Sequence, residues 1–427
     1  CTLKQKLIYQ FFKFMDKMPY NAESRCLCWT GIVCFVLLSL GLFYYFFVQE
    51  STIPKKQIHD IRDQTSPPGS GILTMEQAEK HVRRLVEGTN RHPNSTWKAE
   101  LNPWAVGLTT LDQRAFVISN DSIDEELLKA LEDMNEVIKG DLFIDYYDRH
   151  IAKLHAIPFI PTRFDSAEKW PFCADSINRI FDQGGCGSCF VISTVSHITD
   201  RICILTNGSY KREISAQDLL ECCYFCGSCN GTLDPFTPFI YWYEHGIHTA
   251  DCYPYTISTD CGYPCLPDTF INPKGLGECK GRKLCRKPGE QAKYIYKIGT
   301  IYHSVGPTQR SLVDAYYDKY NARISTEELL KREIMTFGPV VLCFNVFEGF
   351  MHYKKGVYNV LNGTEGPHIY DHCVKITGWG IDELTGSEYL KAINSWSEHW
   401  ATDGTFLIAM DTLRHLRSDL YGGIPRL

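Results

Sequence analysis

The chain contains 427 residues, of which 22% are charged and 44% hydrophobic, a balance that excludes a mostly disordered protein. Its 44 basic and 50 acidic side chains give a net charge of −6, which leaves no broad cationic surface for nucleic acid and excludes it as a partner. The 19 cysteines far exceed what a cytosolic protein normally carries; four precede residue 35 and fifteen follow residue 172.

The first marked feature is an apolar stretch at residues 26–48, whose 23 consecutive positions carry no charge. A helix of this length can cross a bilayer core of roughly 30 Å. Basic side chains outnumber acidic ones in residues 1–25, which predicts a cytoplasmic tail. A cleavable signal peptide has a shorter apolar core that ends at small residues, and a buried core helix is the other alternative. We therefore expect a transmembrane signal anchor and a single-pass type II membrane protein with its remaining residues lumenal or extracellular.

Glycosylation triplets support this orientation, since all of them follow the apolar stretch. The acceptors are Asn94, Asn120, Asn207, Asn230 and Asn362. Residues 49–71 are polar and contain Ser-Pro-Pro-Gly-Ser, which predicts a flexible stalk. Apolar spacing predicts helices over 73–90 and 123–139, within a smaller segment at 72–159. From residue 160 to 427, short helices, alternating strands and dense cysteines indicate one larger unit.

A candidate nucleophile lies in Asp182-Gln-Gly-Gly-Cys-Gly-Ser-Cys189, just before apolar residues spaced as on a buried helix. Cys189 is thereby predicted at a helix N-terminus, where backbone N–H groups and a nearby imidazolium favour a thiolate. The simpler alternative is one more bridged cysteine. Fifteen cysteines cannot all pair within one chain, however, so at least one stays free or bridges to another chain, and Cys189 is the best candidate.

Gln183 to Cys189, followed by the aromatic Phe190, resembles the signature of papain-type cysteine peptidases. The resemblance makes Cys189 the nucleophile and Gln183 a donor to the oxyanion. It implies an α+β, papain-like two-lobed fold, with a helical lobe, a β-barrel-like lobe and the active-site cleft between them.

Two downstream segments extend the resemblance. Asp371 to Gly380 resembles the family's histidine segment, and its Gly-Trp-Gly selects His372 over the neighbouring His368 as the base. Ala392 to Trp396 resembles the asparagine segment, in which Asn394 orients the imidazole and Trp396 shields that contact. Nearby, Ala401 replaces an expected glycine, which predicts an altered turn because alanine prefers negative φ.

His372 lies 183 residues and Asn394 lies 205 residues after Cys189. Both separations are longer than is usual in the family. The extra residues fall between 221 and 290, which narrows the resemblance to the cathepsin B branch. Matching to that branch implies six disulfides: Cys173–Cys203, Cys186–Cys229, Cys222–Cys279, Cys223–Cys226, Cys252–Cys285 and Cys261–Cys265. A metal or iron–sulfur site at Cys223, Cys226 and Cys229 is the disfavoured alternative, so we predict no metal.

The remaining cysteines and their surroundings match substrate pockets. Cys343 and Cys373 match positions that line the family's second specificity pocket, where they are either bridged across it or free. Asp419 matches the acidic residue at the floor of that pocket, and Gly231 lines the third pocket. A glycan on Asn230 would obstruct that third pocket, so we expect this acceptor to be unused.

The resemblance implies a cysteine endopeptidase made as a zymogen, with a propeptide at 72–159 and the peptidase domain at 160–427. Cathepsin B owes its exopeptidase action to a loop with paired histidines, whereas only Gly262 to Pro264 separate Cys261 from Cys265 here. The propeptide cut is expected around His150 to Pro161. Protein and peptide substrates and cystatin-like inhibitors are the implied partners, without a cofactor, in an endolysosomal or secreted setting. The alternative is a catalytically inactive papain-like binding or matrix protein.

Overall fold

The computed structural model describes residues 73–106, 141–232, 234–266, Cys279, Cys285, 292–300, 311–361, 363–416 and 418–426. The chain divides into residues 1–71 and 72–427, and the described residues all belong to the second unit. The predicted tail, anchor, stalk, helix at 123–139 and two acceptors, Asn120 and Asn362, lie outside them. Within the described ranges, no helix is both long and apolar enough to span a bilayer.

Nine α-helices occur in the described part of the chain. They are α1 (Met75–Arg91), α2 (Asp141–His155), α3 (Ser166–Lys169), α4 (Ala174–Ile177), α5 (Cys189–Leu205), α6 (Ala216–Cys222), α7 (Thr237–His245), α8 (Leu312–Tyr320) and α9 (Thr326–Phe337). Short 3-10 helices lie at Pro171–Cys173, Glu348–His352 and Thr412–Arg414. The predicted helix at 73–90 corresponds to α1, which begins at a capping box formed by Thr74 and Gln77.

The strands of the described part form one mixed sheet. They are β1 (Trp97–Ala99), β2 (Phe164–Asp165), β3 (Ala292–Thr300), β4 (Val340–Phe347), β5 (Tyr353–Tyr358), β6 (His368–Ile381), β7 (Glu388–Ile393), β8 (Thr405–Ala409) and β9 (Ser418–Pro425). Their order is β1-β5-β8-β7-β6-β4-β9-β3, with β2 paired to β6. Only β5 and β8 pair in parallel among these strands. Helices and a mixed sheet together confirm the predicted α+β class.

Helix α5 lies at the centre of the packing, where it contacts strands β6 and β9. Every residue from Cys189 to Cys203 is buried. Even its polar residues His197, Asp200 and Arg201 are fully buried, so the rest of the fold encloses the helix on all sides. The first residue of α5 is thus held rigidly against the sheet, which matters because this residue is Cys189.

Residues 73–106, called the N-terminal segment below, add the strand β1 to this sheet. Strand β1 pairs antiparallel with β5, and Trp97 lies opposite Gly356. Trp97 is buried, and its indole N–H donates to the carbonyl of Asn359 at 3.0 Å. Residues 73–106 are therefore docked on the same body as the predicted peptidase domain, by main-chain pairing and a buried indole ring.

Seven disulfides link the described residues: Cys173–Cys203, Cys186–Cys229, Cys222–Cys279, Cys223–Cys226, Cys252–Cys285, Cys261–Cys265 and Cys343–Cys373. The first six are the pairs that the resemblance implies. The seventh resolves the alternative left open for Cys343 and Cys373, which are bridged. Cys189 is the free cysteine among the described residues.

Candidate active site

Cys189 is the first residue of α5 and is 8% exposed. Its thiol approaches the backbone N–H of Cys373 on β6, the residue that follows His372. Helix α5 and strand β6 therefore bring the predicted nucleophile beside the predicted base. The N-terminus of α5 also directs its unpaired backbone N–H groups toward this position.

His372 lies in the middle of β6 and is buried. Its Nε2 is hydrogen-bonded to Oδ1 of Asn394 at 2.8 Å, and Oδ1 also accepts from the backbone N–H of Ser395. Because the amide oxygen is an acceptor, the proton of a neutral imidazole resides on Nε2, which leaves Nδ1 as the basic nitrogen. Within the described residues, Nδ1 is buried and has no hydrogen-bond partner.

Aromatic rings enclose the imidazole on one side. The Trp396 indole stacks on the His372 ring with centroids 4.5 Å apart, and Trp400 meets Trp396 edge-on at 5.1 Å. Both indoles are 1% exposed. The stacking excludes water from the contact between His372 and Asn394, which is the arrangement expected for a shielding tryptophan.

Gln183 joins this cluster through its backbone and side chain. Its N–H donates to the carbonyl of Ser395 at 2.9 Å, and its Oε1 accepts from the Ser395 hydroxyl at 2.7 Å. Its Nε2 donates to the carbonyl of Cys186 at 2.9 Å. One N–H of the amide is thereby used in a hydrogen bond within the protein, and the second N–H is available to bind an oxyanion.

Sequence reasoning missed two side chains that position Gln183. One is Ser395, which lies inside the asparagine segment and could have been found from its place next to Asn394. The other is Tyr255, whose hydroxyl donates to the carbonyl of Gln183 and is hydrogen-bonded to the Ser188 hydroxyl, both at 2.8 Å. No motif or spacing marks Tyr255, because its role depends on a contact across 72 residues of chain.

Burial dominates the electrostatics of the predicted pair. Desolvation raises the pKa of the Cys189 thiol to about 11, although backbone N–H groups of Cys373 and Phe190 oppose the rise. Desolvation likewise lowers the pKa of His372 to about 4, against the hydrogen bond to Asn394. In this buried state the thiol and the imidazole are both neutral near pH 6.

The predicted pocket residues lie side by side on the sheet. Cys343 on β4 lies directly opposite Cys373 on β6, so their disulfide links two paired strands. On its other side Cys343 lies opposite Asp419 of β9, which is half-buried. The structure thus brings Cys343, Cys373 and Asp419 together, one residue from His372.

Gly231 belongs to a tight loop next to the Cys186–Cys229 bridge. It exchanges two backbone hydrogen bonds of 3.0 Å with Ser228 and has φ of +97°, a conformation suited to glycine. Asn230 beside it is exposed, as are Asn94 and Asn207. The three acceptors that the structure describes are therefore on the surface.

The turn at Ala401 departs from the sequence expectation. Ala401 adopts a φ of +58°, the left-handed conformation that the expected glycine would take, so the predicted change of turn geometry is wrong. The turn is held by the Gly404 N–H, which donates to the carbonyl of Trp400 at 2.9 Å. Packing of the Trp400 indole against Phe350 also fixes it. The surroundings impose the backbone conformation at a cost to alanine of roughly 1–2 kcal/mol.

A short disulfide-closed loop, Cys261 to Cys265, receives the N-terminal segment. Asn102 donates from Nδ2 to the carbonyl of Tyr263 at 2.8 Å. The Trp104 indole packs on Tyr263 and lies so close to Gly262 that a Cβ there would be 2.6 Å from it. On its other side the Tyr263 ring faces His399 at 5.5 Å.

The chain resembles known proteins over most of its length. The family model "Papain family cysteine protease" matches residues 160–418. A cathepsin B-like cysteine proteinase of Schistosoma japonicum is 31% identical over 330 residues, 75% of this chain and 84% of that protein. Cathepsin B-like cysteine proteinase 6 of Caenorhabditis elegans is 34% identical over 284 residues, 65% of this chain and 70% of that one.

A solved structure extends the likeness to an uncleaved precursor. Procathepsin B S9 of Trypanosoma congolense superposes with a TM-score of 0.52 and 25% identity, covering 83% of this chain and 99% of that one. The alignment takes in more of the chain than the peptidase domain alone, in agreement with the docked N-terminal segment. The chain belongs to the papain family of cysteine proteases, in its cathepsin B-like branch, and is a cysteine peptidase made as a zymogen.

Proposed function

We propose that this peptidase is an endopeptidase in which Cys189 and His372 form the catalytic pair, assisted by Asn394 and Gln183. The observation that carries the proposal is the hydrogen bond between His372 and Asn394 under the Trp396 indole, next to the free thiol of Cys189. The amide fixes the imidazole so that Nδ1 is free to exchange a proton with the thiol and the substrate.

In the proposed reaction, Nδ1 of His372 takes the proton of the neutral Cys189 thiol, and the thiolate so formed attacks the peptide carbonyl carbon. The second Gln183 N–H and the backbone N–H of Cys189 stabilise the oxyanion. His372 gives its proton to the leaving amine as the C–N bond breaks, which leaves a thioester on Cys189. His372 then takes a proton from water, whose oxygen attacks the thioester and releases the carboxylate and the thiol.

We propose that the second specificity pocket is bounded by the Cys343–Cys373 bridge and floored by Asp419. The bridge is buried, with 7% and 4% exposure of its cysteines, so it occupies space that two small side chains would leave open. The pocket is therefore narrower than one with small apolar residues at both positions. The Asp419 carboxylate favours a slender basic side chain over a neutral one of the same size.

Endopeptidase action is supported by the short loop Cys261 to Cys265. This loop carries no histidine. It is closed by the Cys261–Cys265 disulfide and by backbone pairing of Gly262 with Cys265, so it offers no imidazole pair for a substrate's terminal carboxylate. Once Trp104 leaves Tyr263, the cleft is open to a polypeptide that continues past the cleaved bond.

The cellular setting is proposed from the sequence. Residues 26–48 anchor a type II membrane protein, and the catalytic domain lies on the lumenal or extracellular side, in the endolysosomal system or released after processing. Exposed Asn94 and Asn207, together with Asn120 and Asn362, carry glycans. Protein and peptide substrates and cystatin-like inhibitors are the partners.

The deciding experiment is labelling of the processed protein with a biotinylated peptidyl epoxide, followed by mass spectrometry. Cys189→Ala removes the proposed nucleophile and His372→Ala the proposed base. His368→Ala is the matched control, because His368 lies four positions earlier on the same strand, is exposed and pairs with Asp371 at 3.0 Å. We expect label only on Cys189, lost in His372→Ala and retained in His368→Ala.

The mode of cleavage is measured with paired peptides that end in a free carboxylate or an amide. Internal cleavage of both at similar rates supports endopeptidase action, whereas strict dependence on the carboxylate contradicts it. Absence of labelling in folded, processed protein would replace the proposal by the inactive binding protein.

A further inference from the structure

One face of helix α2 is buried against the peptidase domain. The His150 side chain is fully buried, and so are Ile151 and Leu154 one and four positions later. Residues 150, 151 and 154 share one helix face, so this face is enclosed while Ala152 and Lys153 are exposed. Part of the range expected for the propeptide cut, around His150 to Pro161, therefore lies within a packed helix.

The buried face of α2 completes a charged cluster. Nε2 of His150 lies 2.6 Å from one carboxylate oxygen of Glu333, and Nη2 of Arg201 lies 2.9 Å from the other. All three side chains are fully buried. The His150 ring also stacks on Phe337 at 4.6 Å, which closes the cluster from the α9 side.

This cluster is connected to the catalytic helix. Arg201 lies on α5, whose first residue is Cys189, and its guanidinium also donates to the carbonyl of Pro339 at 3.1 Å. Glu333 therefore bridges α2 to the helix that carries the nucleophile. The loss of a hydrogen-bond partner from a buried carboxylate is strongly destabilising. Departure of His150 would therefore destabilise the contact of Glu333 with Arg201, near the C-terminal end of α5.

The far end of α2 is bound as well. Arg332 of α9 donates to the carbonyls of Leu154 and Ile157 at 2.9 and 2.7 Å. The His155 ring stacks on Tyr320 of α8 at 4.1 Å and is hydrogen-bonded to the Tyr316 hydroxyl. Helices α8 and α9 both belong to the peptidase domain, and each uses α2 as a packing partner.

Residues 73–106 are attached differently, at the surface strand β5 and the loop Cys261 to Cys265. Their docking depends on a three-residue strand, β1, and on contacts of Asn102 and Trp104 with the loop. Removal of these residues exposes strand β5, the loop and Glu348, which His81 contacts at 2.9 Å, but leaves the cluster of His150, Glu333 and Arg201 intact.

We propose that α2 is a permanent part of the mature peptidase, and that activation removes the segment up to Val106 while α2 stays bound. The helix acts as a structural brace between α5, α8 and α9. It remains whether or not the chain is also cut at the exposed residues between α2 and Pro161.

The test begins with the full zymogen, processed at acidic pH or with a trace of pepsin, and then stopped with a peptidyl epoxide and by neutralisation, which inactivates pepsin. Native mass spectrometry and peptide mapping establish whether residues 141–155 remain with the peptidase domain. We expect α2 in the processed particle, linked covalently or held after a cut. A processed, folded particle that lacks residues 141–155 overturns the proposal.

A pair of variants provides an independent readout on the processed form. Ile151→Gln alters the buried face and Ala152→Gln introduces the same side chain on the exposed face. If Ile151→Gln does not fold, Ile151→Val replaces it, with an expected fall in Tm of about 1–6 °C. We expect the buried-face change to lower the Tm of the processed enzyme and Ala152→Gln to leave it unchanged. Equal Tm values for all processed forms would show that α2 has left.

Discussion

The bridge between Cys343 and Cys373 permits a prediction with a worked magnitude. It joins directly opposed residues of β4 and β6 and closes a loop of 30 residues. Constraint of such a loop in the unfolded chain contributes about 3.6 kcal/mol to the free energy of unfolding. Replacement of both cysteines by alanine should therefore lower Tm by roughly 7–14 °C.

The measurement is thermal unfolding of the zymogen, followed by circular dichroism, with Cys189→Ser throughout to prevent self-cleavage. The control removes Cys261 and Cys265, whose bridge spans 4 residues and contributes only about 1.9 kcal/mol. A loss from the first pair no larger than that from the control would refute the reasoning. So would alkylation of two thiols after residue 172 in the unreduced, denatured Cys189→Ser protein, where none is expected.

The same double substitution also tests the pocket when Cys189 is intact. Alanine at both positions opens the space that the bridge fills, so kcat/KM should rise roughly tenfold or more for substrates that place a bulky side chain in the second pocket. Substrates with small side chains there should change little, which separates a wider pocket from a general loss of activity.

Four further substitutions test the site and the docked segment. Asn394→Ala frees the His372 ring, so kcat should fall about 100-fold with little change in KM, measured on a peptide substrate. Ala401→Gly relieves the left-handed backbone and should raise the free energy of unfolding by up to about 1 kcal/mol, measured by urea denaturation. His81→Gln should weaken docking of α1 most below pH 6.5, whereas His352→Gln should strengthen it at acidic pH. Both are measured by hydrogen exchange of α1, corrected for the intrinsic pH dependence.

Two of these changes have a matched comparison. Lys80→Gln removes a charge from an exposed position next to His81 and should leave exchange at wild-type values. Thr402→Ala, next to Ala401, tests whether any substitution in the turn alters stability. Retention of full kcat in Asn394→Ala would contradict the positioning role, and equal pH dependence in both histidine variants would contradict the docking argument.

The catalytic segments could be predicted because their chemistry is local in sequence. Cys189 lies at the start of a helix with regularly spaced apolar residues, and the strand with His372 runs into a Gly-Trp-Gly motif, so each element carries its own pattern. The neighbouring motif residues also fix the pairing of His372 with Asn394. Local pattern and fold agree here, as expected of a site on rigid elements.

The parts that escaped prediction depend on contacts between distant residues or on packing that overrides a local preference. His150 and Glu333 are 183 positions apart, and a histidine that follows the charged pair Asp148 and Arg149 on a helix gives no sign of burial. Ala401 shows the second cause, since its own backbone preference predicts another turn. The indole of Trp400 and the Gly404 hydrogen bond impose the left-handed conformation instead.

Two histidines where residues 73–106 dock, His81 on α1 and His352 in the peptidase domain, respond to acid in opposite directions. The hydrogen bond from His81 to the buried Glu348, 2.9 Å long, is the main cause of the raised pKa of His81. This contribution to docking is complete below pH 6.5 and is lost as pH rises through the raised pKa.

Burial lowers the pKa of His352 to about 4. Its Nδ1 accepts a hydrogen bond from the backbone N–H of Asn102 in the docked segment. Once the segment leaves, His352 is hydrated and takes up a proton below pH 6.5, so docking loses stability as pH falls from 6.5 toward 4. His81 is 43% exposed and therefore screened by solvent, whereas His352 is fully buried, so the His352 effect is the larger. Acidification should accordingly loosen residues 73–106 through His352, while α2, whose contacts lie elsewhere, remains in place.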